Sequence, residues 1–124
     1  MTIAFWCVLI AALLPYAFTG VAKFSGGRYN NYRPREWLDR LEGWQKRAHW
    51  VQLNSFEAFP PFAAAVVIAQ LAQAPQVTVD GLAIAFIALR VVYGLCYIFD
   101  KATLRSLVWM AAFGCVVALF VVAA

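Results

Sequence analysis

The chain has 124 residues, of which 65% are hydrophobic, and a formal net charge of +4 at neutral pH. Soluble domains are about 45–50% apolar, and a domain this small leaves a large share of its surface in contact with solvent. So much apolar surface excludes a water-soluble globular protein. The composition indicates an integral membrane protein, and the length indicates a single domain, residues 1–124.

The basic residues are concentrated in one segment. Seven of the ten Lys and Arg residues lie between Lys23 and Arg47, together with Glu36, Asp39 and Glu42. A basic segment with Tyr and Trp can indicate an RNA-binding surface. Between two membrane spans, however, it marks the side of the membrane on which the loop stays. We therefore expect no nucleic-acid partner.

The single histidine and the three cysteines show none of the spacings of a metal site. His49 stands alone, and Cys7, Cys96 and Cys115 are isolated within apolar runs. An odd number of separated cysteines also argues against a disulfide framework. We expect no bound metal and interpret the cysteines as small apolar residues.

Four apolar segments approach the roughly 20 residues that a helix needs to cross a bilayer. Each must be helical, because an isolated strand would leave backbone groups unpaired in lipid. The predicted fold is an all-α membrane protein, a four-transmembrane-helix bundle. Its predicted spans are residues 3–22, 48–72, 81–99 and 104–123.

The charges of the loops predict the orientation. The first loop is basic and the third carries Lys101 and Arg105, whereas the middle connection, QAPQVTVDG, has neither Lys nor Arg. Basic loops stay in the cytoplasm, so both termini are expected on the non-cytoplasmic side. The first span has no basic residues before it, so we do not expect it to be a cleaved secretory signal.

The second half of the first loop is amphipathic. From Pro34 onward, the sequence PREWLDRLEGWQKRAHW places Trp37, Leu41 and Trp44 on one helical face, with charges opposite. This pattern is typical of an interfacial helix, which would lead directly into the second span. The alternative is a solvated loop.

Polar side chains form one stripe on each of the two middle spans. At 100° per residue, Arg47, Asn54 and Glu57 lie within roughly 80° of one another, and His49 lies on the opposite face. On the third span, the segment RVVYGLCY places Arg90, Tyr93 and Tyr97 within roughly 60°.

Glu57 and Arg90 are each about eight or nine residues from the cytoplasmic ends of their predicted spans, so we expect them to pair at one depth. An unpaired Arg at the centre of a bilayer costs about 2.5–3.5 kcal/mol or more. Such a pair could simply hold two helices together. That interpretation does not account for the other polar groups that face the same end: Arg47, Asn54, Tyr93, Tyr97 and Arg105. Several guanidinium groups in one place suit a carboxylate-bearing, peptide-like ligand.

These motifs also resemble a known family. The pattern Asn-x-x-Glu-x-x-Pro occurs as Asn54, Glu57 and Pro60, and is followed by RVVYGLCY and then Arg105. With the four spans and the long basic first loop, this order is similar to the MAPEG family, the membrane-associated proteins in eicosanoid and glutathione metabolism. The sequence resembles a bacterial-type member, similar to microsomal glutathione transferase and leukotriene C4 synthase. Many members have an arginine one turn before the Asn; here the residue is Trp50.

The resemblance implies a homotrimer in a bacterial inner membrane that binds glutathione between neighbouring subunits. It also implies that a lipophilic small-molecule substrate arrives from the lipid bilayer. Arg105 matches the position that stabilises the glutathione thiolate. The expected glutathione-binding residues, to which the stripe on the second span adds Arg47, are Arg47, Asn54, Glu57, Arg90, Tyr93 and Tyr97.

Three functions remain to be weighed. The first is a glutathione-dependent transferase or peroxidase, and the second is a non-catalytic family member that binds lipid or a protein partner. The third is a small proton-coupled exporter. Such exporters carry their membrane Glu in the first span and have short loops, whereas here Glu57 lies in the second span after a long loop. The enzyme is the favoured interpretation.

Overall fold

The computed structural model describes residues 1–25 and 27–124, and all regular structure within them is helical. The helices are α1 (Ile3–Phe24), α2 (Pro34–Asp39), α3 (Gly43–Leu71), α4 (Gln76–Ile98) and α5 (Ala102–Ala123). All except α2 are long and apolar enough to cross a membrane. The predicted all-α architecture with four candidate spans is therefore confirmed, and the chain is a multi-pass integral membrane protein.

The two middle spans form the centre of the bundle. Helices α3 and α4 each contact α1, α5 and one another, and the most extensive contacts are α1 with α3 and α4 with α5. Phe62 of α3 stacks on Phe86 of α4 with the ring centroids 3.9 Å apart. The rest of the core consists largely of Ala and Val, so the helix backbones lie close together.

The helix in the first loop is shorter than the sequence predicted. The amphipathic segment does not continue into the second span, because α2 ends at Asp39 and α3 begins at Gly43 with a φ of +61°. Leu38 is 5% exposed and packs against Ala22 and Ala48. Helix α2 thus lies across the end of the bundle where α1 and α4 end and α3 and α5 begin, which we call the basic end.

The opposite end is held by a contact between α1 and α4. The side chain of Thr2 caps α1 by accepting from the backbone N–H of Phe5 at 3.1 Å. Asp80 of α4 accepts from the backbone N–H of Ala4 at 2.9 Å and from Nε2 of Gln76 at 2.7 Å. The carboxylate therefore satisfies an N–H that has no partner within its own helix.

Short turns connect the last three spans. Between α3 and α4, Gln73 has a φ of 55°, and the N–H of Ala74 donates to the carbonyl of Ala69 at 3.0 Å. Between α4 and α5, Asp100 has a φ of 59°, and the N–H of Lys101 donates to the carbonyl of Cys96 at 2.8 Å. Both turns end their helix through a residue in the left-handed conformation.

Two consecutive prolines lie inside α3. Pro60 and Pro61 fall within the helix, and proline has no backbone N–H. The carbonyls of Phe56 and Glu57 therefore lack their usual donor four residues further along. This interruption lies beside the polar stripe of α3.

Candidate functional site

A cleft between α3, α4 and α5 contains most of the residues that the sequence singled out. An outer cavity of about 420 Å³ lies against Tyr97, Arg105 and Trp109, and a neighbouring one of about 300 Å³ lies against Trp50, Glu57 and Tyr93. Asn54 lines both cavities. We call the two together the polar cleft, whose lining residues are Trp50, Leu53, Asn54, Glu57, Tyr93, Tyr97, Arg105, Ser106, Trp109 and Met110.

A third, deeper cavity of about 140 Å³ adjoins the polar cleft. Its polar wall is formed by Asn54, Glu57 and Arg90, and the rest of its lining is apolar. The apolar lining residues are Ala58, Pro61, Phe86, Trp109, Ala112, Phe113 and Val116. We call it the inner cavity. Apolar pockets with a few convergent polar groups are typical of small-molecule sites.

Arg90 is held rigidly between the cleft and the inner cavity. The residue is only 3% exposed, and its Nη2 donates to Oδ1 of Asn54 at 2.7 Å. Its guanidinium carbon lies 4.3 Å from the centre of the Tyr93 ring, one turn further along α4. A buried guanidinium needs such partners, because taking it out of water costs several kcal/mol.

The predicted pair of Glu57 with Arg90 is not observed. Among the described residues the ion pair formed by an Arg or Lys is Arg33 with Glu36 at 3.5 Å, and Nε2 of His49 lies 3.7 Å from Oδ1 of Asp39. Asn54, one turn before Glu57 on the same face of α3, meets Arg90 instead. The Glu57 side chain is exposed on the cleft side of α3.

Arg105 lines the polar cleft from the first turn of α5. Its guanidinium carbon is 4.3 Å from the centre of the Tyr97 ring. The same ring meets Tyr93 edge-on with centroids 5.8 Å apart, and lies 6.1 Å from the ring of Trp50. The polar cleft and the adjoining inner cavity thus have one guanidinium group each, and each group lies over an aromatic ring.

Arg47 lies apart from this group. Its Nε and Nη2 donate to the backbone carbonyl of Ile98 at 3.1 and 2.9 Å, so it caps the C-terminal end of α4. A cation there is favoured because the last carbonyls of a helix are unpaired and carry partial negative charge. The angular position of a residue on a helix does not determine where a side chain this long ends.

His49 lies on the opposite side of α3 from the cleft, as its angular position predicted. It is 7% exposed; its Nδ1 is 3.0 Å from Oε1 of Gln52, and its Nε2 is 3.7 Å from Asp39. Within residues 1–25 and 27–124, no group of three or more His, Cys, Asp or Glu side chains could hold a metal ion. Cys7 and Cys96 are buried, and Cys115 is half-buried.

The sequence reasoning missed the contribution of α5 beyond Arg105. Ser106, Trp109 and Met110 line the polar cleft, and Phe113 and Val116 line the inner cavity. The signal was present, because residues 105, 109, 112 and 116 are spaced by three or four positions and so share a helical face. Arg105 marked the start of that face, but the apolar residues after it looked like ordinary lipid-facing positions.

The two arginines have no carboxylate partner, although Glu57 also lines the polar cleft. Within the described residues, neither Arg90, beside the inner cavity, nor Arg105, in the cleft, forms an ion pair with a carboxylate. An anion entering between them would find two guanidinium donors, the Asn54 amide and two tyrosine hydroxyls. Charge-assisted hydrogen bonds of this kind are about twice as strong as neutral ones.

No curated protein and no solved structure matches this chain. The sequence profile of one family does, over residues 3–124. The match includes all five helices and every residue of the cleft, in agreement with the resemblance seen in the motifs. The chain belongs to the MAPEG family, the membrane-associated proteins in eicosanoid and glutathione metabolism.

Proposed function

We propose that this protein is a glutathione-dependent transferase or peroxidase that acts on lipophilic substrates within the membrane. The observation that carries the proposal is that the polar cleft and the adjoining inner cavity bring together Asn54, Glu57, Arg90, Tyr93, Tyr97 and Arg105. An ion pair that only joined two helices would not account for the other polar groups. Membership of a family associated with glutathione metabolism supports glutathione as the thiol co-substrate.

Each polar group of the cleft matches a group of glutathione. The guanidinium of Arg90 and the hydroxyls of Tyr93 and Tyr97 suit its carboxylates and backbone carbonyls. Glu57 and the Asn54 amide suit its amine and amide N–H groups. Arg47 would act indirectly, because its bond to the carbonyl of Ile98 holds the end of α4 next to Tyr97.

Arg105 would serve the chemistry. An ordinary thiol has a pKa of about 8.5, so most of it is protonated and unreactive at neutral pH. A guanidinium near the sulfur lowers that pKa and raises the thiolate fraction. We assign this role to Arg105, which lines the outer cavity.

The two reactions differ in what accepts the electron pair of sulfur. In the transferase reaction the thiolate forms a bond to an electrophilic carbon, and either a leaving group departs with its electron pair or an adjacent carbon takes a proton. In the peroxidase reaction it attacks the terminal oxygen of a hydroperoxide, the O–O bond breaks, and the alkoxide takes a proton and leaves as the alcohol, so that glutathione is oxidised to its sulfenic acid. A second glutathione thiol then attacks that sulfur, which forms the disulfide and releases water. The lipophilic substrate would occupy the inner cavity, which has an apolar lining beside Arg90.

We further propose a homotrimer that encloses the cleft between neighbouring subunits, as the family resemblance implies. In the single subunit, Glu57 is exposed although it belongs to a membrane-spanning helix. A carboxylate facing lipid is costly, so a neighbouring subunit or a ligand would be expected to cover it. With both termini on the non-cytoplasmic side, the cleft would open towards cytoplasmic glutathione.

The second candidate is a non-catalytic family member that binds lipid or a protein partner. One observation favours it: the guanidinium of Arg105 rests on the Tyr97 ring, with no other side-chain partner among the described residues. In this interpretation the aromatic contact stabilises α5 and has no role in thiol chemistry.

Glutathione binding and conjugation distinguish these functions. Calorimetry on the purified protein in detergent should show glutathione binding, and the protein should conjugate glutathione to chlorodinitrobenzene. Loss of one positioned charge-stabilising group typically lowers kcat by about 10²–10³-fold, so Arg105→Ala should lose about that much while still binding glutathione.

Lys101→Ala is the matched control, because Lys101 is an exposed cation one turn away and outside the cleft. It should retain the wild-type rate. If the wild type binds no glutathione, both the enzyme and the residue roles are wrong. Binding without conjugation would favour the non-catalytic protein.

A further inference from the structure

The guanidinium of Arg105 is held by aromatic packing alone. Among the described residues its side chain has no hydrogen bond and no ion pair, and it is half-buried against the ring of Tyr97. Arg90 differs, because it has both an aromatic ring and the Asn54 carbonyl oxygen. The position of Arg105 therefore depends on the position of the Tyr97 ring.

The Tyr97 ring is in turn fixed by two aromatic neighbours from different helices. Tyr93, one turn earlier on α4, meets it edge-on at an interplanar angle of 80°. Trp50 of α3 lies on it at an interplanar angle of 49°, with centroids 6.1 Å apart. Trp50 is the contact that ties the ring to another helix.

A flexible arginine needs such a support. Its side chain has several rotatable bonds, and the aromatic face attracts the guanidinium in a preferred geometry. Misplacing a reacting group by about 1 Å can reduce a rate on the order of 10²-fold. A shift of the Tyr97 ring would therefore be transmitted to the group that stabilises the thiolate.

We propose that Trp50 is a positioning residue that acts through Tyr97 to hold Arg105 in the polar cleft. This inference rests on the proposed function, in which Arg105 stabilises the glutathione thiolate. It gives a role to Trp50, which stands where many family members have an arginine. The competing interpretation is that Trp50 is only a lipid-facing aromatic residue, because 41% of it is exposed.

Phe56 provides the matched control. It lies on the same helix and is 42% exposed, and it packs edge-on against a tyrosine, Tyr16 of α1, at 5.6 Å. Neither ring of this pair lines the polar cleft or the inner cavity. A general effect of removing an exposed aromatic residue from α3 should appear equally in Phe56→Leu.

The test compares Trp50→Leu, Trp50→Phe and Phe56→Leu in detergent-purified protein. The readouts are the glutathione affinity, kcat, and the pH dependence of the ultraviolet absorbance of the bound thiolate. For Trp50→Leu we expect kcat to fall about tenfold and the pKa of the bound thiol to rise by about one unit. At a pH below that pKa, the fraction of bound thiol present as thiolate would then be about one tenth of the wild-type fraction. Glutathione affinity should change less than kcat.

Trp50→Phe keeps an aromatic face and should restore most of the rate, and Phe56→Leu should behave as the wild type. Two variants of Tyr97 distinguish the effect of its ring from that of its hydroxyl group. Tyr97→Leu should reproduce the pKa shift of Trp50→Leu, and Tyr97→Phe should not. If Trp50→Leu leaves the thiol pKa unchanged, or if Phe56→Leu shifts it equally, Trp50 does not position Arg105.

The Arg105→Ala variant separates the role of Arg105 from the role of Trp50. If Arg105→Ala itself leaves the thiol pKa unchanged, the proposed role of Arg105 is wrong, and the inference about Trp50 falls with it. If Arg105→Ala raises the pKa and Trp50→Leu does not, only the positioning role is lost. Should Trp50→Leu fail to fold, Trp50→Met, which also removes the aromatic face, takes its place with the same expected and contradicting results.

Discussion

Gly94 of α4 is the position where a single atom decides how two helices pack. A Cβ added there would overlap the ring of Phe18, which α1 inserts against the α4 backbone. Gly114 of α5 has open space around the same position. The two glycines thus differ in whether a neighbouring side chain occupies the space that a Cβ would fill.

We therefore predict opposite results for the two alanine substitutions. Gly94→Ala should destabilise the protein by about 1–3 kcal/mol, the usual range for overpacking, because α1 must move away from α4. Gly114→Ala should be neutral or slightly stabilising, since alanine is the better helix former. Thermal unfolding in one detergent measures both, and an equal loss in the two variants would contradict the role given to Phe18.

Gln73 ends α3 in a conformation that suits glycine better. Its φ is 55°, it is exposed, and it precedes the N–H of Ala74 that closes the turn onto Ala69. Residues with a Cβ pay about 1–2 kcal/mol in the left-handed conformation. The Cβ of Gln73 therefore destabilises this turn relative to a glycine at the same position.

Gln73→Gly should consequently stabilise the protein by about 0.5–1 kcal/mol, seen as a higher unfolding temperature. The neighbouring Ala72→Gly is the control, because Ala72 has an ordinary φ of −77° and gains only flexibility from glycine. That variant should be destabilised. A stabilised Ala72→Gly, or an unchanged Gln73→Gly, would show that the turn is not limited by its backbone conformation.

The sequence predicted the elements well where hydrophobicity alone determines them. The four spans follow from the need of a helix for lipid-compatible length, and α1 and α5 end close to their predicted bounds. The predicted second span began at residue 48, whereas α3 begins at Gly43, so Trp44, which the pattern assigned to the interfacial helix, belongs to α3. The partner of Arg90 could not be predicted, because Asn54 and Glu57 lie on the same face one turn apart and depth counting does not resolve one turn.

The contacts of long side chains could not be predicted from their positions on a helix. The direction of Asn54, Tyr93 and Tyr97 follows from helical angle, because short or rigid side chains stay close to it. Arg47 shares that angle and yet reaches the carbonyl of Ile98. No spacing rule could have separated it from the cleft residues, since its contact is set by where α4 ends.

At the scale of the whole molecule, the acidic side chain of the polar cleft is not covered by any part of its own subunit that the structure describes. Glu57 is exposed on a membrane-spanning helix, and the cleft beside it is open. The proposed trimer predicts that native mass spectrometry from mild detergent gives three times the subunit mass of 13.8 kDa. Lys101→Ala, at a turn outside the cleft, should give the same mass. A single-subunit mass under conditions in which glutathione is conjugated would contradict the assembly.

The double proline of α3 has a consequence for hydration. Pro60 and Pro61 remove the N–H groups that would serve the carbonyls of Phe56 and Glu57. An unpaired carbonyl in hydrocarbon costs several kcal/mol, so those oxygens need another donor at the depth of the cleft. Water molecules are the available source until a ligand enters. Part of the membrane interior beside Glu57 would then be wet in the free protein, and a ligand carrying N–H groups would release that water as it binds.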